Sequence, residues 1–296
     1  MARKKKLVVF VFALFLSLVL ATGTALADTS RVLTFGADLT AEQREEMARF
    51  FGVPNYREEN IPVLEVTNQE ERATLKGMVP ESAIGTRAVS CAFVEVLSPG
   101  SGITVETKNI TYVTKEMYAS ALTTAGVKDA RVMAAAPFPV SGTAALTGMF
   151  KAFEKATGKS LSPQAKVIAN EELVQMGKLG EAIGDKNKAA QLMMRVKEQV
   201  VADKIKDPEQ IRQIVIDVGR DLNINLTPQQ IDQITELMRK ISTLDLTARD
   251  ISAQLKNIKL EMDKFLQENQ EVKSLLRRIL DAISAFIEKI KAWLGL

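Results

Sequence analysis

The chain of 296 residues contains no histidine and a single cysteine. The first absence excludes Ser-His-Asp and Cys-His nucleophilic sites, imidazole-ligated zinc and the usual proton shuttle near neutral pH. The second excludes disulfides within the chain and any multi-thiolate metal centre. Aromatic residues make up only 5%, with one tryptophan. The 46% hydrophobic and 25% charged fractions are those of an ordinary globular protein, so collagen-like, mucin-like and low-complexity readings drop out. From this inventory no metal site and no cofactor is expected.

What is present begins with an export pattern. Arg3, Lys4, Lys5 and Lys6 form a basic start, Leu7 to Leu20 an apolar stretch of 14 residues, and Ala25-Leu26-Ala27 a small-x-small cleavage site. Fourteen apolar residues fall short of the ~20 that a spanning helix needs, so residues 1–27 read as a signal peptide removed on secretion. The remaining 269 residues carry thirty-five basic against thirty-six acidic side chains. The apparent basicity therefore belongs to the leader. A near-neutral body has no field to gather DNA or RNA, and no nucleic-acid partner is expected.

Residues 28–160 alternate short strand-like runs with helices and read as an α/β or α+β domain with a mixed sheet. Arg31 to Phe35 is a strand, and Thr40 with Gln43 is a capping box opening a helix. Val63 to Val66 is a second strand, running into Asn68 as N-cap with Glu71 at the third helical position. Thr86 to Leu97 and Ile103 to Val113, joined by Ser98-Pro99-Gly100-Ser101-Gly102, are expected to pair as an antiparallel hairpin. Cys91 alternates with Val89 and Phe93 on one strand face and reads as a buried, inert small hydrophobe, with a reactive thiol as the alternative. A helix over Lys115 to Ala125 ends at Gly126, and Ala130 to Ala136 is a buried strand that Pro137-Phe138-Pro139 stops before a helix from Ala144 to Thr157.

Beyond Ser162 the strand signals vanish. Residues 161–247 read as an all-α domain with helices over Pro163 to Leu179, Lys186 to Asp203, Pro208 to Asp221 and Pro228 to Ile241. Thr227-Pro228-Gln229-Gln230 supplies the sharpest start, with a cap, a proline at the first helical position and a box-closing glutamine.

Residues 248–296 form a long amphipathic, coiled-coil-like helix. Ile251, Leu255, Ile258, Met262, Phe265, Asn269, Val272, Leu276, Ile279, Ile283, Phe286, Ile290 and Trp293 follow a 4,3 spacing throughout. As one helix the seam would be about 65 Å long at ~1.5 Å per residue. Asn269 falls at an a position, where a buried asparagine can set a parallel homodimer. The wider distal stripe, with Lys273, Arg277, Arg278, Lys289, Lys291 and Trp293, also suits an anionic membrane surface. Packing back on the helical domain, dimerisation through Asn269 and peripheral membrane contact through Phe286 and Trp293 all stay open.

Two further constellations carry chemistry. Ser141-Gly142-Thr143 lies at a strand-to-helix junction, where free N–H groups could hold a phosphate or carboxylate. It lacks the P-loop lysine and dinucleotide spacing, and a tight turn capped by Ser141 or Thr143 is the plainer reading. Without histidine, acid–base work would fall to carboxylates such as Asp38, Glu171 and Glu172. The last two sit mid-helix, where a solvated face is the default.

Several long stretches resemble the YpuA-like (DUF1002) family of exported Firmicutes proteins. The resemblance rests on Phe35-Gly36-Ala37-Asp38-Leu39-Thr40, on Ile84-Gly85-Thr86-Arg87-Ala88-Val89-Ser90, on Asn109-Ile110-Thr111 with Thr114 to Tyr118, and on Ala135 to Gly148. Asn170-Glu171-Glu172-Leu173, Leu237-Met238 and Leu244-Asp245-Leu246 extend it into the helical half. It implies an exported protein of a Gram-positive envelope and carries over no catalytic residue. The expected function is an extracellular, envelope-associated binding module for a wall polymer or envelope protein. The alternative is a carboxylate-based hydrolase of wall glycan or polymer.

Overall fold

The computed structural model describes residues 30–75, 77–78, 84–262 and 264. Strand β1 (Arg31–Gly36) leads into helix α1 (Ala41–Phe50), and the Thr40 box forms as read: Gln43 N–H donates to Thr40 Oγ1 at 3.3 Å and Thr40 N–H to Gln43 Oε1 at 3.0 Å. Strand β2 (Val63–Val66) then runs into helix α2 (Asn68–Leu75). Here the cap is Thr67, not Asn68. Glu70 N–H donates to Thr67 Oγ1 at 3.2 Å, and Thr67 N–H donates to the Glu70 carboxylate at 2.8 Å. Both Thr67 and Asn68 are followed three residues later by glutamate, so two boxes were available. The register adopted turns Glu71 inward.

Strand β3 (Cys91–Val96), strand β4 (Ile103–Ile110) and strand β5 (Ala130–Val140) complete a mixed sheet in the order β2-β1-β3-β5-β4. The expected β3–β4 hairpin does not form: β5 enters between them, antiparallel to β3 and parallel to β4. Asp129, just before β5, shows why. Its Oδ1 accepts the N–H groups of Gly100 at 3.0 Å and Gly102 at 2.9 Å, so the turn expected to close a hairpin instead wraps the start of another strand. Strand β5 also runs past Pro137 and Pro139. Its pairing with β3 ends at Cys91↔Ala135, so beyond Ala136 it is an edge on that side, where proline is tolerated.

Alternation along the strands divides the core between two faces. Leu33, Phe35, Cys91 and Phe93 point to one face, covered by Met47 and Ala48 of α1 and by Phe51 and Tyr56 beyond it. The rings of Phe51 and Phe93 stack at 6.1 Å, and those of Phe35 and Tyr56 meet edge-on at 5.9 Å. Val32, Val94, Val105 and Val132 point to the other face, beneath helix α3 (Lys115–Ala125) and helix α4 (Thr143–Thr157). Cys91 is enclosed, as its strand alternation indicates.

The helical half starts at Ser162, which caps helix α5 (Pro163–Ile183). Helices α6 (Lys186–Ala202), α7 (Pro208–Asp221) and α8 (Pro228–Ile241) follow, capped by Asp185, Asp207 and Thr227, and helix α9 covers 248–262. One apolar core runs through both halves, from Val32 and Val132 through Leu122 and Leu173 to Val215 and Leu237. It also takes in Ile251, Leu255, Ile258 and Met262, so the described part of the long seam is internal packing. Gln254 and Asn257 tie α9 to the sheet: Asp129 N–H donates to Gln254 Oε1 at 2.7 Å, and Asn257 Nδ2 donates to Ser101 O at 2.9 Å. Residues 1–27, read from the sequence as a signal peptide, and Asn269, Phe286 and Trp293 lie outside the described residues.

Candidate functional site

Adjacent residues of α5 face different surroundings. Glu171 reaches a surface groove, where Lys240 of α8 donates to both its carboxylate oxygens at 2.9 Å. Glu172, about 100° round the helix, enters the core and is fully enclosed with Lys197 of α6. Lys197 Nζ donates to Glu172 Oε1 at 2.8 Å, Ser120 Oγ at 2.8 Å, Thr124 Oγ1 at 2.9 Å and Ser120 O at 2.9 Å. The hydroxyls of Ser120 and Thr124 on α3 in turn donate to the two carboxylate oxygens, at 2.7 and 2.5 Å. Burial pulls the Lys197 ammonium below its ordinary value, while the Glu172 charge opposes that shift. The solvated-face reading of Glu172 is therefore overturned. A hydroxyl beside a depressed lysine resembles a nucleophile with its base, but nothing can reach this one, and its chemistry is that of a three-helix clamp.

Asp38 is likewise engaged structurally. Its Oδ2 accepts Ala88 N–H at 2.7 Å, and Arg87 donates to its main-chain oxygen at 3.2 Å, pinning the turn after β1 to the segment leading into β3. Asp38, Glu171 and Glu172 thus occupy three different environments. Glu172 cannot act across a cleft with either of the others.

The Ser141-Gly142-Thr143 junction faces a carboxyl from the protein itself. Gly142 is the cap of α4, with φ of 92° and no side-chain cap bond, so neither Ser141 nor Thr143 serves as cap. A Cβ at Gly142 would lie 2.4 Å from Ile110 Cγ2 and 2.5 Å from the Tyr118 hydroxyl oxygen, which donates to Gly142 O. Thr143 Oγ1 instead donates to Glu71 Oε1 at 3.4 Å. Glu71 is 3% exposed, and burial pushes its carboxyl up to about 7. Tyr118 beside it is held well above the ordinary phenol value by its own burial, with the Glu71 charge adding to that.

The groove at Glu171 measures about 500 Å³, within the range of small-ligand sites. One wall is a stripe of α5 at helical spacing: Glu171, Val174, Gln175, Lys178, Leu179 and Ala182. The opposite wall is the start of α8, where Thr227 and Gln230 form their box and Gln229, Gln233 and Ile234 line the space. Met78 closes one end, its carbonyl accepting from Lys178 Nζ at 3.0 Å. Behind it Leu75 packs with Ile84 and Val174. Gln229 and Gln233 have no hydrogen-bond partner among the described residues. Gln175 donates to Glu171 Oε1 at 3.3 Å, but its own Oε1 is buried without a donor.

A second cavity of about 400 Å³ lies where α3 and α6 begin. Some of its polar groups are paired within the protein: Lys115 with Glu261, and Asp185 with Lys188 N–H at 2.9 Å. Among the described residues no three His, Cys, Asp or Glu side chains could hold a metal ion, and no helix is long and apolar enough to cross a membrane.

The sequence did contain a signal for the Glu172–Lys197 clamp. Glu172 interrupts the stripe Ile168, Ala169, Met176, and Lys197 the stripe Met193, Val200, Val201, all of them buried. A charge in each apolar stripe points to burial of that side chain but does not say which residue it meets. The glutamine groove had no such signal, because its two walls are about fifty residues apart in the chain.

A mixed five-stranded sheet continued into a helical half that shares its core defines the class of protein. The chain belongs to the family described as "Protein of unknown function (DUF1002)", whose model matches residues 35–258. It is 37% identical over 281 residues to "Uncharacterized protein YpuA" of Bacillus subtilis (strain 168), covering 94% of this chain and 95% of that relative. No solved structure matches it.

Proposed function

We propose that this chain is an exported envelope protein that works by binding, and that the α5–α8 groove takes a component of the cell wall. The observation that carries this reading is a cavity of about 500 Å³ whose Gln229 and Gln233 amides have no protein partner among the described residues, set over the aliphatic side chains of Val174 and Ile234. Apolar walls with a few convergent polar groups are the usual composition of a ligand site. The three-part N-terminal pattern supports placement outside the cytoplasm. Binding is favoured over hydrolysis because Glu172 is enclosed, Asp38 is bound to Ala88 N–H and Glu171 is matched by Lys240.

Co-sedimentation of the purified protein with isolated cell walls tests the reading. The protein should pellet, and the double variant Gln229→Ala, Gln233→Ala should stay largely in the supernatant. A protein that never pellets, or a variant that pellets equally well, defeats it. Soluble wall fragments accumulating with time, and abolished by Glu171→Gln, would install the hydrolase in its place.

A further inference from the structure

Resting on that reading, we infer that the groove recognises the peptide part of the wall polymer, held as an extended main chain between α5 and α8, and not its sugar or phosphate parts. The argument is one of matching functional groups. An extended peptide repeats one N–H donor and one C=O acceptor per residue, and a primary amide offers two donors and one acceptor. Gln229 and Gln233, one helical turn apart on α8, present both kinds of group with no competing protein partner among the described residues. Gln230 gives its Oε1 to Thr227 N–H and keeps its amide hydrogens to donate. Across the groove, Gln175 lines the α5 wall and donates to Glu171 Oε1 at 3.3 Å. The apolar walls, Val174 and Ile234, suit small aliphatic side chains.

The alternatives fit worse. A pyranose ring buries its C–H faces best against an aromatic plane, yet among the described residues no phenylalanine or tyrosine lines this groove. A phosphate-bearing polymer needs an excess of cations. Among the described residues of the lining Lys178 is the single lysine, and it is bonded to Met78 O, while the one carboxylate, Glu171, is matched by Lys240. A near-neutral, amide-rich wall selects a near-neutral, amide-rich ligand.

The test uses the whole protein and two pools from amidase-treated walls: free peptides, and glycan strands stripped of peptide. Each pool is titrated calorimetrically into the protein at low and high salt. The peptide pool should bind with little salt dependence. Gln233→Ala should weaken it roughly tenfold, the equivalent of ~1.4 kcal/mol, with an unchanged melting temperature showing that the exposed substitution leaves the fold intact. Heat from the glycan pool alone, binding that collapses with salt, or a Gln233→Ala variant that binds like the native protein overturns the inference. Because the titration is read whether or not the protein pellets with walls, a peptide that binds a non-pelleting protein refutes the envelope role alone. Pelleting competed only by glycan refutes the peptide assignment alone.

Discussion

Lys197 Nζ and Glu172 Oε1 meet at 2.8 Å with neither side chain exposed, joining α6 to α5 while Ser120 and Thr124 of α3 satisfy both ions. Breaking such a pair from one side leaves a buried charge without its partner. Lys197→Met or Glu172→Leu alone should each cost about 3–5 kcal/mol in urea unfolding, and the double replacement should recover much of that loss. Additive single losses in the double mutant would show that the two side chains do not act as a pair.

Stability should also fall as pH rises through neutrality, because of Glu71. Its carboxyl titrates at about 7 in the folded protein against an ordinary 4.5, raised by burial. The stabilisation is therefore complete below about pH 4.5 and lost as pH rises through 7. Between pH 5 and 8 the loss should be on the order of 2–3 kcal/mol. Glu71→Gln keeps the shape without the charge and should flatten the profile. An identical pH dependence in that variant would remove Glu71 as its source.

The Asp129 node predicts coupling between distant segments. Asp129 holds the Gly100–Gly102 turn, and Gln254 of α9 accepts its N–H and donates to its carboxylate at 3.4 Å. Asp129→Ala and Gln254→Ala should each destabilise by ~1–3 kcal/mol, and the double mutant should lose less than their sum. Hydrogen exchange at Gly100 and Gly102 should accelerate in Asp129→Ala; unchanged exchange there would contradict the assignment.

Cys91 should be unreactive while the protein is folded. It is fully buried, and burial pushes its thiol up to about 12. Ellman's reagent at pH 8 should find no thiol in native protein and one per chain in guanidinium. Rapid native modification would place Cys91 on an accessible surface and disprove the packing of that sheet face.

Several features were legible because their causes are local. The Thr40–Gln43 and Thr227–Gln230 boxes, the prolines opening α5, α7 and α8, and the Gly126 stop depend on hydrogen bonds or dihedrals within a few residues. The strand alternation that buries Cys91 with Phe93 is local too. Misreadings arose where two local solutions were equally good. Thr67 and Asn68 both carried a glutamate three residues on, and the Ser98–Gly102 turn suited a hairpin as well as it suits the bed of β5.

The order of residues alone decided where most helices begin, which strand faces are apolar, and that imidazole chemistry and disulfides within the chain are absent, since each is a property of composition or short-range spacing. Only the tertiary structure decided that β5 divides β3 from β4, that Glu172 meets Lys197 while Glu171 opens onto a groove, and that Glu71 is sealed beneath α4. Burial and ion pairing are set by whatever segment arrives from elsewhere in the chain. No window of neighbouring residues contains that information.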